Sequence, residues 1–336
     1  MKEQPHPFDS LVPELIIEAV ESVGLACNGR LLALGSYENR VYQVGLEDAD
    51  PVVVKFYRPG RWSLEAILEE HEFSAELQAA EVPVVGPLRL ATEQGRNTLH
   101  GIGGFHFAVF PRRGGHWPEL ATADDRRWLG RFLGRLHAVG SMRGFRHRQM
   151  LDPVRMGRGS VTWLLREGWI PDYLEPRYRQ VMEEVLDVVD EAFLGVGQVR
   201  SLRIHGDCHR NNLLWTDSGP HFVDLDDCMN GPAVQDLWML LAGDREEQAG
   251  QLRDLLEGYG EFARFDGREL GLIEALRSLR MIHYTAWLAQ RWSDPAFPLA
   301  FPWFGEARYW ERHVGELEEQ LSAMAEPSLT LDSISR

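Results

Sequence analysis

Three oxygen-bearing side chains, Asp207, Asn212 and Asp224, are spaced along the middle of the chain in a way that could perform chemistry. Asp207 and Asn212 belong to the segment HGDCHRNN, and Asp224 follows the apolar residues of HFVDLDD. Phosphoryl transfer needs a carboxylate that orients a hydroxyl and accepts its proton, together with oxygen ligands that hold Mg²⁺ on the phosphates. The pattern therefore predicts Asp207 as the catalytic base and both Asn212 and Asp224 as Mg²⁺ ligands.

A structural interpretation of the same residues has to be weighed against this one. Asp and Asn often cap or turn loops, so Asp207 or Asn212 taken singly could be structural. Asp224 is more informative, because an unpaired carboxylate buried in an apolar strand costs several kcal/mol. It therefore requires a cation. Asn211 is an alternative metal ligand, but the five-residue spacing from Asp207 favours Asn212.

The first third of the chain offers residues for the nucleotide. Lys55 follows Val52-Val53-Val54, and a lysine at the end of such a strand can reach the α- and β-phosphates. A helix glutamate would position it, and Glu70 is favoured over Glu69. Ser36 lies in a turn whose amides could cover phosphates. An ordinary hairpin turn and an edge-strand lysine remain alternatives for these two features.

The elements that must position these residues can be predicted from periodicity. Strands are expected at 31–36, 40–46 and 51–58, and a helix is expected from Ser63 to about Ala80. Two further strands are expected around the Gly-rich turn at 101–104, in VVGPLRL and FHFAVF. After the break PRRGGHWP, Thr122 and Asp125 resemble a capping box, and the remainder is mostly helical except for a hairpin around TDSGP.

These elements predict an α+β fold with two lobes. Residues 1–111 would form a small antiparallel-sheet N-lobe that binds the nucleotide. Residues 112–336 would form a mainly helical C-lobe that carries the catalytic residues and the substrate site. Asp236, which precedes an apolar helical run, is expected to secure the catalytic loop by accepting bonds from backbone amides.

Composition narrows the class of protein. The chain has 336 residues, 44% hydrophobic content and a formal net charge of −16, which disfavours nucleic acid as a partner. The three cysteines suit a reducing cytoplasm better than a disulfide framework. The sequence has neither a signal peptide nor an apolar stretch long enough to span a bilayer, so we expect a cytoplasmic monomer without a membrane partner.

At these residues the sequence resembles the aminoglycoside phosphotransferase and choline kinase superfamily, and within it the bacterial stress response kinase A family. The resemblance extends over nearly the whole chain. It is carried by four segments, of which the last two together are highly specific: SYENRVY, VVKFY, HGDCHRNNLLW and FVDLDDCMNGPAVQDLWMLL.

The resemblance implies a protein-kinase-like fold with ATP as the phosphoryl donor, Mg²⁺ as the cofactor and protein Ser or Thr hydroxyls as acceptors, including those of the chain itself. Asp207 would accept the proton, and Asp224 would complete the active site. The other implied roles are Mg²⁺ ligation by Asn212 and Asp224, contact with ATP by Ser36, and an ion pair between Lys55 and Glu70.

Two other functions remain open from the sequence. A small-molecule kinase acting on an amino alcohol, sugar or aminoglycoside would use the same chemistry. A catalytically inactive nucleotide sensor would bind partners through its helical lobe, although the presence of the complete residue set argues against it.

Overall fold

The structure is a computed structural model that describes residues 6–92, 95–217 and 219–334. The first residues of the predicted N-lobe and the last residues of the predicted C-lobe lie outside this described part. Elements are numbered in chain order. The elements described up to residue 111 are α1 (Pro13–Glu21), β1 (Cys27–Leu34), β2 (Arg40–Leu46), β3 (Val52–Phe56), α2 (Leu64–Ala79), β4 (Leu90–Thr92), β5 (Gly95–Asn97), β6 (His100–Ile102) and β7 (Phe105–Pro111).

Five of these strands form one sheet in the order β1-β2-β3-β7-β6, and every neighbouring pair is antiparallel. Because side chains alternate between the two faces of a strand, β3 directs Val54 and Phe56 into a core shared with Ile16 and Val20 of α1. Lys55 therefore points to the opposite face, on which α2 packs. β3 lies in the middle of the order, so the edge-strand interpretation of Lys55 is wrong.

The prediction that VVGPLRL forms a strand is also wrong. Val84 makes only an isolated bridge to Phe222, and Leu90 belongs to the short strand β4. Pro87 in the middle of the segment has no amide hydrogen to donate to a ladder. Val85 N instead makes a single bond to Phe222 O, which ties this segment to the second half of the chain.

The second half is mainly helical. Its α-helices are α3 (Ala123–Gly140), α4 (Ser160–Arg166), α5 (Glu175–Val196), α6 (Val234–Trp238), α7 (Arg245–Tyr259), α8 (Ile273–Arg291), α9 (Ala296–Ala300), α10 (Ala307–Met324) and α11 (Leu331–Ile334). A π-helix spans Arg155–Gly159, and short strands are β8 (Leu202–Ile204), β9 (Leu213–Thr216), β10 (Gly219–Phe222) and β11 (Met229–Gly231). Within the described residues, this half also has short 3-10 helices at Arg210–Asn212, Leu225–Asp227, Gly267–Leu272 and Pro302–Gly305.

Close packing of α3 against α7 supports the centre of this helical half. A Cβ atom added at Gly130 would lie 2.1 Å from Leu255 O, so the two backbones can approach this closely only with glycine there. The predicted capping box of α3 is confirmed: Asp125 N donates to Thr122 Oγ1, and Thr122 N donates to Asp125.

The predicted fold class is confirmed, since a small antiparallel sheet is followed by a mainly helical remainder. Within the described residues, none of the helices combines the length and the apolar character that crossing a bilayer requires.

Candidate active site

Lys55 is the buried cation on the inner face of the sheet. Its Nζ lies 3.4 Å from Glu70 Oε1, 3.2 Å from Asp224 Oδ1 and 2.9 Å from Asp226 Oδ1. Burial lowers the pKa of Lys55, but the three carboxylates raise it well above its ordinary value. The ammonium is therefore charged and joins the sheet and α2 to the segment after β10.

Glu70, rather than its neighbour Glu69, faces Lys55. Successive residues on an α-helix are rotated by about 100°, so only one of the two can point under the sheet. Glu69 instead accepts the backbone amides of Arg146, His147 and Arg148 at 2.8, 2.9 and 3.1 Å. The second glutamate therefore anchors α2 to the loop that follows α3.

The buried side chain of Arg148 supports α2. Its Nη1 donates to Ala66 O at 3.0 Å and to Glu70 Oε2 at 3.4 Å, while its Nε donates to Cys228 O at 2.7 Å. Glu70 is thus held between two cations, Lys55 and Arg148. Burial and neighbouring Asp226 nevertheless raise the pKa of Glu70.

The loop that carries Asp207 is fixed by Asp236. Its two carboxylate oxygens accept the amides of His205 at 2.7 Å and Gly206 at 2.8 Å, and Oδ2 also lies 3.0 Å from His137 Nε2. Gly206 has a φ of +84°, and a Cβ there would lie 2.2 Å from Asp227 O. The loop therefore requires glycine at 206 and a buried acceptor at 236.

Replacing Asp236 with alanine should lower the free energy of unfolding by about 3 kcal/mol, because two buried amides lose a charged acceptor. Chemical denaturation measures this change. The matched control is Asp244→Ala, which removes an exposed helix cap and should cost about 1 kcal/mol. Equal losses in the two variants would contradict the role assigned to Asp236.

Asp207 lies in this loop with both carboxylate oxygens engaged. Oδ1 accepts a bond from Arg280 Nη1 of α8 at 2.6 Å, and Oδ2 lies 3.3 Å from His209 Nε2. Burial raises the pKa of Asp207, but His209 and Arg280 lower it by more, so the pKa lies below the ordinary carboxyl range. The group is therefore an ionised carboxylate.

The β9–β10 hairpin brings Asn212 next to Val223, the residue before Asp224. Leu213 pairs with Phe222, and Val223 N donates to Asn212 O at 3.1 Å, so the residues just outside the hairpin face each other. Asp224 has a φ of +57°, a strained left-handed conformation for a residue other than glycine. Its carboxylate is about half exposed and lies beside Lys55.

The donor set fits Mg²⁺, which prefers one or two carboxylates together with phosphate oxygens over an all-protein cage. Asn212 uses its Nδ2 to donate to Asp207 O at 2.9 Å, which leaves Oδ1 as the atom presented to a cation. Asp224 supplies the carboxylate. Among the described residues, no group of three or more His, Cys, Asp or Glu side chains is arranged to hold a metal ion by itself.

Ser36 lies in the loop between β1 and β2. Its Oγ donates to Asn39 O at 3.3 Å within the loop, and among the described residues it has no hydrogen bond to the other predicted site residues. Glu38 joins this loop to the junction between the two halves, called the cleft below, where Lys55, Arg61, Glu70, Asp224 and Asp226 form a charged cluster. It accepts a bond from Trp287 Nε1 at 2.6 Å and lies 3.8 Å from Arg61 Nε. The loop is therefore close to the charged cluster, but within the described residues Ser36 makes no hydrogen bond to that cluster.

Sequence reasoning assigned no role to several charged residues of the cleft. Arg61 donates to Asp226 Oδ2 and to Asp227 Oδ1, and so crosses from the N-terminal half to the residues after β10. Burial raises the pKa of Asp226, but Arg61 and Lys55 hold it below its ordinary value. A second carboxylate two residues after Asp224 was a visible signal for Asp226, whereas Arg61 and Arg280 have no comparable local motif.

Comparison with known proteins adds a family and several relatives. A model of the phosphotransferase enzyme family matches residues 30–273. The chain is 43% identical to stress response kinase A of Escherichia coli over 98% of this chain and 99% of that protein. It is 42% identical to the serine/threonine protein kinase RdoA of Salmonella typhimurium, again over 98% of this chain and 99% of the relative.

Solved structures share the fold at lower identity. An amicoumacin kinase in complex with AMP-PNP, Ca²⁺ and its ligand aligns with a TM-score of 0.70 and 20% identity, over 91% of this chain and 93% of that chain. A microcompartment-associated aminopropanol kinase aligns with a TM-score of 0.68 and 19% identity, over 93% and 98% of the two chains.

Proposed function

We propose, from the premise that this chain belongs to the phosphotransferase enzyme family and within it to the stress response kinase A family, that it is an ATP- and Mg²⁺-dependent serine/threonine protein kinase. That it is a phosphotransferase follows from the family. The protein acceptor is supported by the name of a 42% identical relative, a serine/threonine protein kinase. Autophosphorylation and a role in the stress response belong to the same proposal.

The observation that supports this function best is the charged contact between the two halves of the cleft. Lys55 lies 3.2 Å from Asp224 and 3.4 Å from Glu70, so the lysine proposed to bind phosphate lies beside the carboxylate proposed to bind the metal. Asn212 O accepts the amide of Val223, the residue before Asp224, and the side-chain amide of Asn212 donates to Asp207 O. These contacts link the proposed base, metal ligands and lysine, and they support the proposal that the four side chains act on one phosphoryl group.

The proposed reaction transfers the γ-phosphoryl group of ATP. The acceptor hydroxyl oxygen bonds to the γ-phosphorus as the bond from that phosphorus to the β–γ bridging oxygen breaks, and ADP leaves. Asp207 accepts the hydroxyl proton, and Lys55 binds the α- and β-phosphates. Mg²⁺ held by Asn212 and Asp224 would neutralise charge that develops on the phosphates. Ser36 would reach a phosphate from its loop.

Residues 1–111 would act as the nucleotide-binding lobe and residues 112–336 as the catalytic and substrate lobe. The boundary is supported by the end of β7 at Pro111 and the start of α3 at Ala123. The monomeric state, the cytoplasmic location and the lack of a nucleic-acid partner stay predictions from composition.

The test is incubation of the purified chain with ATP labelled on the γ-phosphate, with Mg²⁺ or with excess chelator. Label on Ser or Thr of the chain or of added peptides, lost with chelator, is the expected result. Label on small alcohols but on no peptide would replace the proposal by a small-molecule kinase. Nucleotide binding without any transfer would leave only a nucleotide sensor.

Replacing Glu70 with glutamine should lower kcat/KM about tenfold to a hundredfold, because a small displacement of Lys55 misplaces the phosphates. The matched control is Glu69→Gln, one residue away on α2. Glutamine at 69 keeps only one of the two oxygens that accept the amides of the 146–148 loop, so that variant should lose some stability. Its kcat/KM should stay within about twofold of the wild type, because the bonds of Glu69 go to that loop rather than to Lys55. Steady-state kinetics with ATP varied measures both, and equal losses would contradict the assignment of Glu70.

A further inference from the structure

One face of α8 extends along the cleft from the proposed base to the loop over the phosphates. Arg280, Tyr284, Trp287 and Arg291 are spaced by four, three and four residues, which places them on one helix face. Arg280 bonds to Asp207, whereas Trp287 and Arg291 bond to Glu38. A substrate whose acceptor hydroxyl lies between Asp207 and the γ-phosphate would therefore contact this face of α8.

Asp207 is a weaker proton acceptor while its present bonds persist, because donors at both oxygens stabilise the carboxylate. Oδ1 is occupied by Arg280 at 2.6 Å, and Oδ2 lies 3.3 Å from both Asn212 Nδ2 and His209 Nε2. Asn212 is held by a second bond to the main chain of the same loop. Arg280 is a long side chain with 37% of its surface exposed, so it is the partner that an arriving acceptor can most readily displace.

A second cation, Arg155, belongs to an element that packs on α8. The π-helix Arg155–Gly159 packs on α8, since a Cβ at Gly157 would lie 3.0 Å from Leu279 Cδ2. Burial is the main cause that lowers the pKa of His283 to about 4, and Arg155, Arg280 and Arg61 lower it further. Three guanidinium groups therefore act on the imidazole ring of His283 in α8. Arg61 lies near the proposed nucleotide site and is already paired with Asp226 and Asp227.

We propose that Arg280 recognises a negatively charged group beside the acceptor hydroxyl, so that the substrate class is a Ser or Thr in an acidic protein segment. The inference rests on the proposed function as a protein kinase. An acidic neighbour gives Arg280 a replacement partner and frees Oδ1 of Asp207 for the hydroxyl proton. A neutral neighbour offers no such exchange, and a basic neighbour is repelled by the guanidinium.

The test uses three peptides that differ only in the residues flanking one serine, which are all Glu, all Gln or all Lys. At fixed ionic strength the wild-type chain should prefer the Glu peptide over the Gln peptide by about tenfold or more in kcat/KM. Arg280→Gln should bring that ratio to about one. Arg280→Glu should move the preference to the Lys peptide.

Arg158→Gln is the matched control, because Arg158 has a similar exposure of 44% and pairs with Asp187 and Asp190 of α5 rather than with Asp207. It should keep the wild-type preference. Thermal unfolding checks that each variant is folded, and charge reversal at 280 provides a readout that lost packing cannot produce.

The outcomes separate the two proposals. Peptide phosphorylation without a preference for Glu in the wild type would overturn the inference and leave the protein kinase proposal standing. The same follows if Arg280→Gln slows all three peptides equally. If no peptide is phosphorylated while small alcohols are, both the protein kinase proposal and the inference are overturned.

Discussion

Replacing Asp207 with asparagine should lower kcat about a thousandfold, within the 10²–10⁴-fold range that a positioned general base contributes. The asparagine side chain has nearly the same shape but cannot accept the hydroxyl proton. The affinity for ATP should change little, because Asp207 acts on the acceptor in the transition state rather than on the bound nucleotide. Single-turnover kinetics and nucleotide titration measure the two quantities separately.

The fold should survive this change, because the Asp207–Arg280 pair is partly exposed and such pairs contribute about 1 kcal/mol or less. Asp217→Asn is a suitable control, since Asp217 is an exposed aspartate in the hairpin turn between β9 and β10. Wild-type turnover in the Asp207 variant would remove the proposed mechanism, whatever its stability.

Replacing Asp224 with asparagine should lower kcat/KM about a thousandfold or more, an effect comparable to the loss of other groups that stabilise phosphoryl-transfer charge. Asparagine tolerates the left-handed backbone found at this position, so the change removes the charge and keeps the loop. The Mg²⁺ concentration that gives half-maximal activity should rise. Metal titrations at saturating ATP measure that shift.

A second substitution separates charge from backbone strain at this position. Asp224→Ala should be as inactive as Asp224→Asn and, in addition, less stable by about 1–2 kcal/mol, because alanine is strained at a φ of +57°. If Asp224→Asn kept wild-type activity and metal dependence, Asp224 would not be the metal ligand. If only the alanine variant lost activity, its role would be structural.

The clustered charges explain why single substitutions in the cleft should act on more than one group. Lys55 contacts Glu70, Asp224 and Asp226, and Arg61 contacts Asp226 as well. Buried charges that share partners do not contribute additively. Effects at Lys55 or Asp226 therefore have to be compared through double substitutions rather than assigned from single ones.

Much of the fold could be predicted because its signals are local. The cap at Ser63, the capping box at Thr122 and the β9–β10 hairpin each depend on residues within a few positions of one another. Asp236 was also expected to bind backbone amides of the catalytic loop, and its carboxylate does so at 2.7 and 2.8 Å. The segment VVGPLRL was predicted as a strand from its apolar pattern, which takes no account of backbone hydrogen bonds. The prediction failed because the proline lacks the amide hydrogen that a strand donates to its neighbour.

The sequence by itself determined the family and the fold class. It also determined the types and spacing of the oxygen donors at 207, 212 and 224, because a loop and a hairpin fix those positions locally. Only the tertiary structure decided that Glu70 rather than Glu69 meets Lys55, since this depends on which helix face packs against the sheet. It also decided that Arg61 reaches Asp226 across 165 residues and Arg280 reaches Asp207 across 73. Such pairs follow from the packing of distant segments, and no local pattern encodes them.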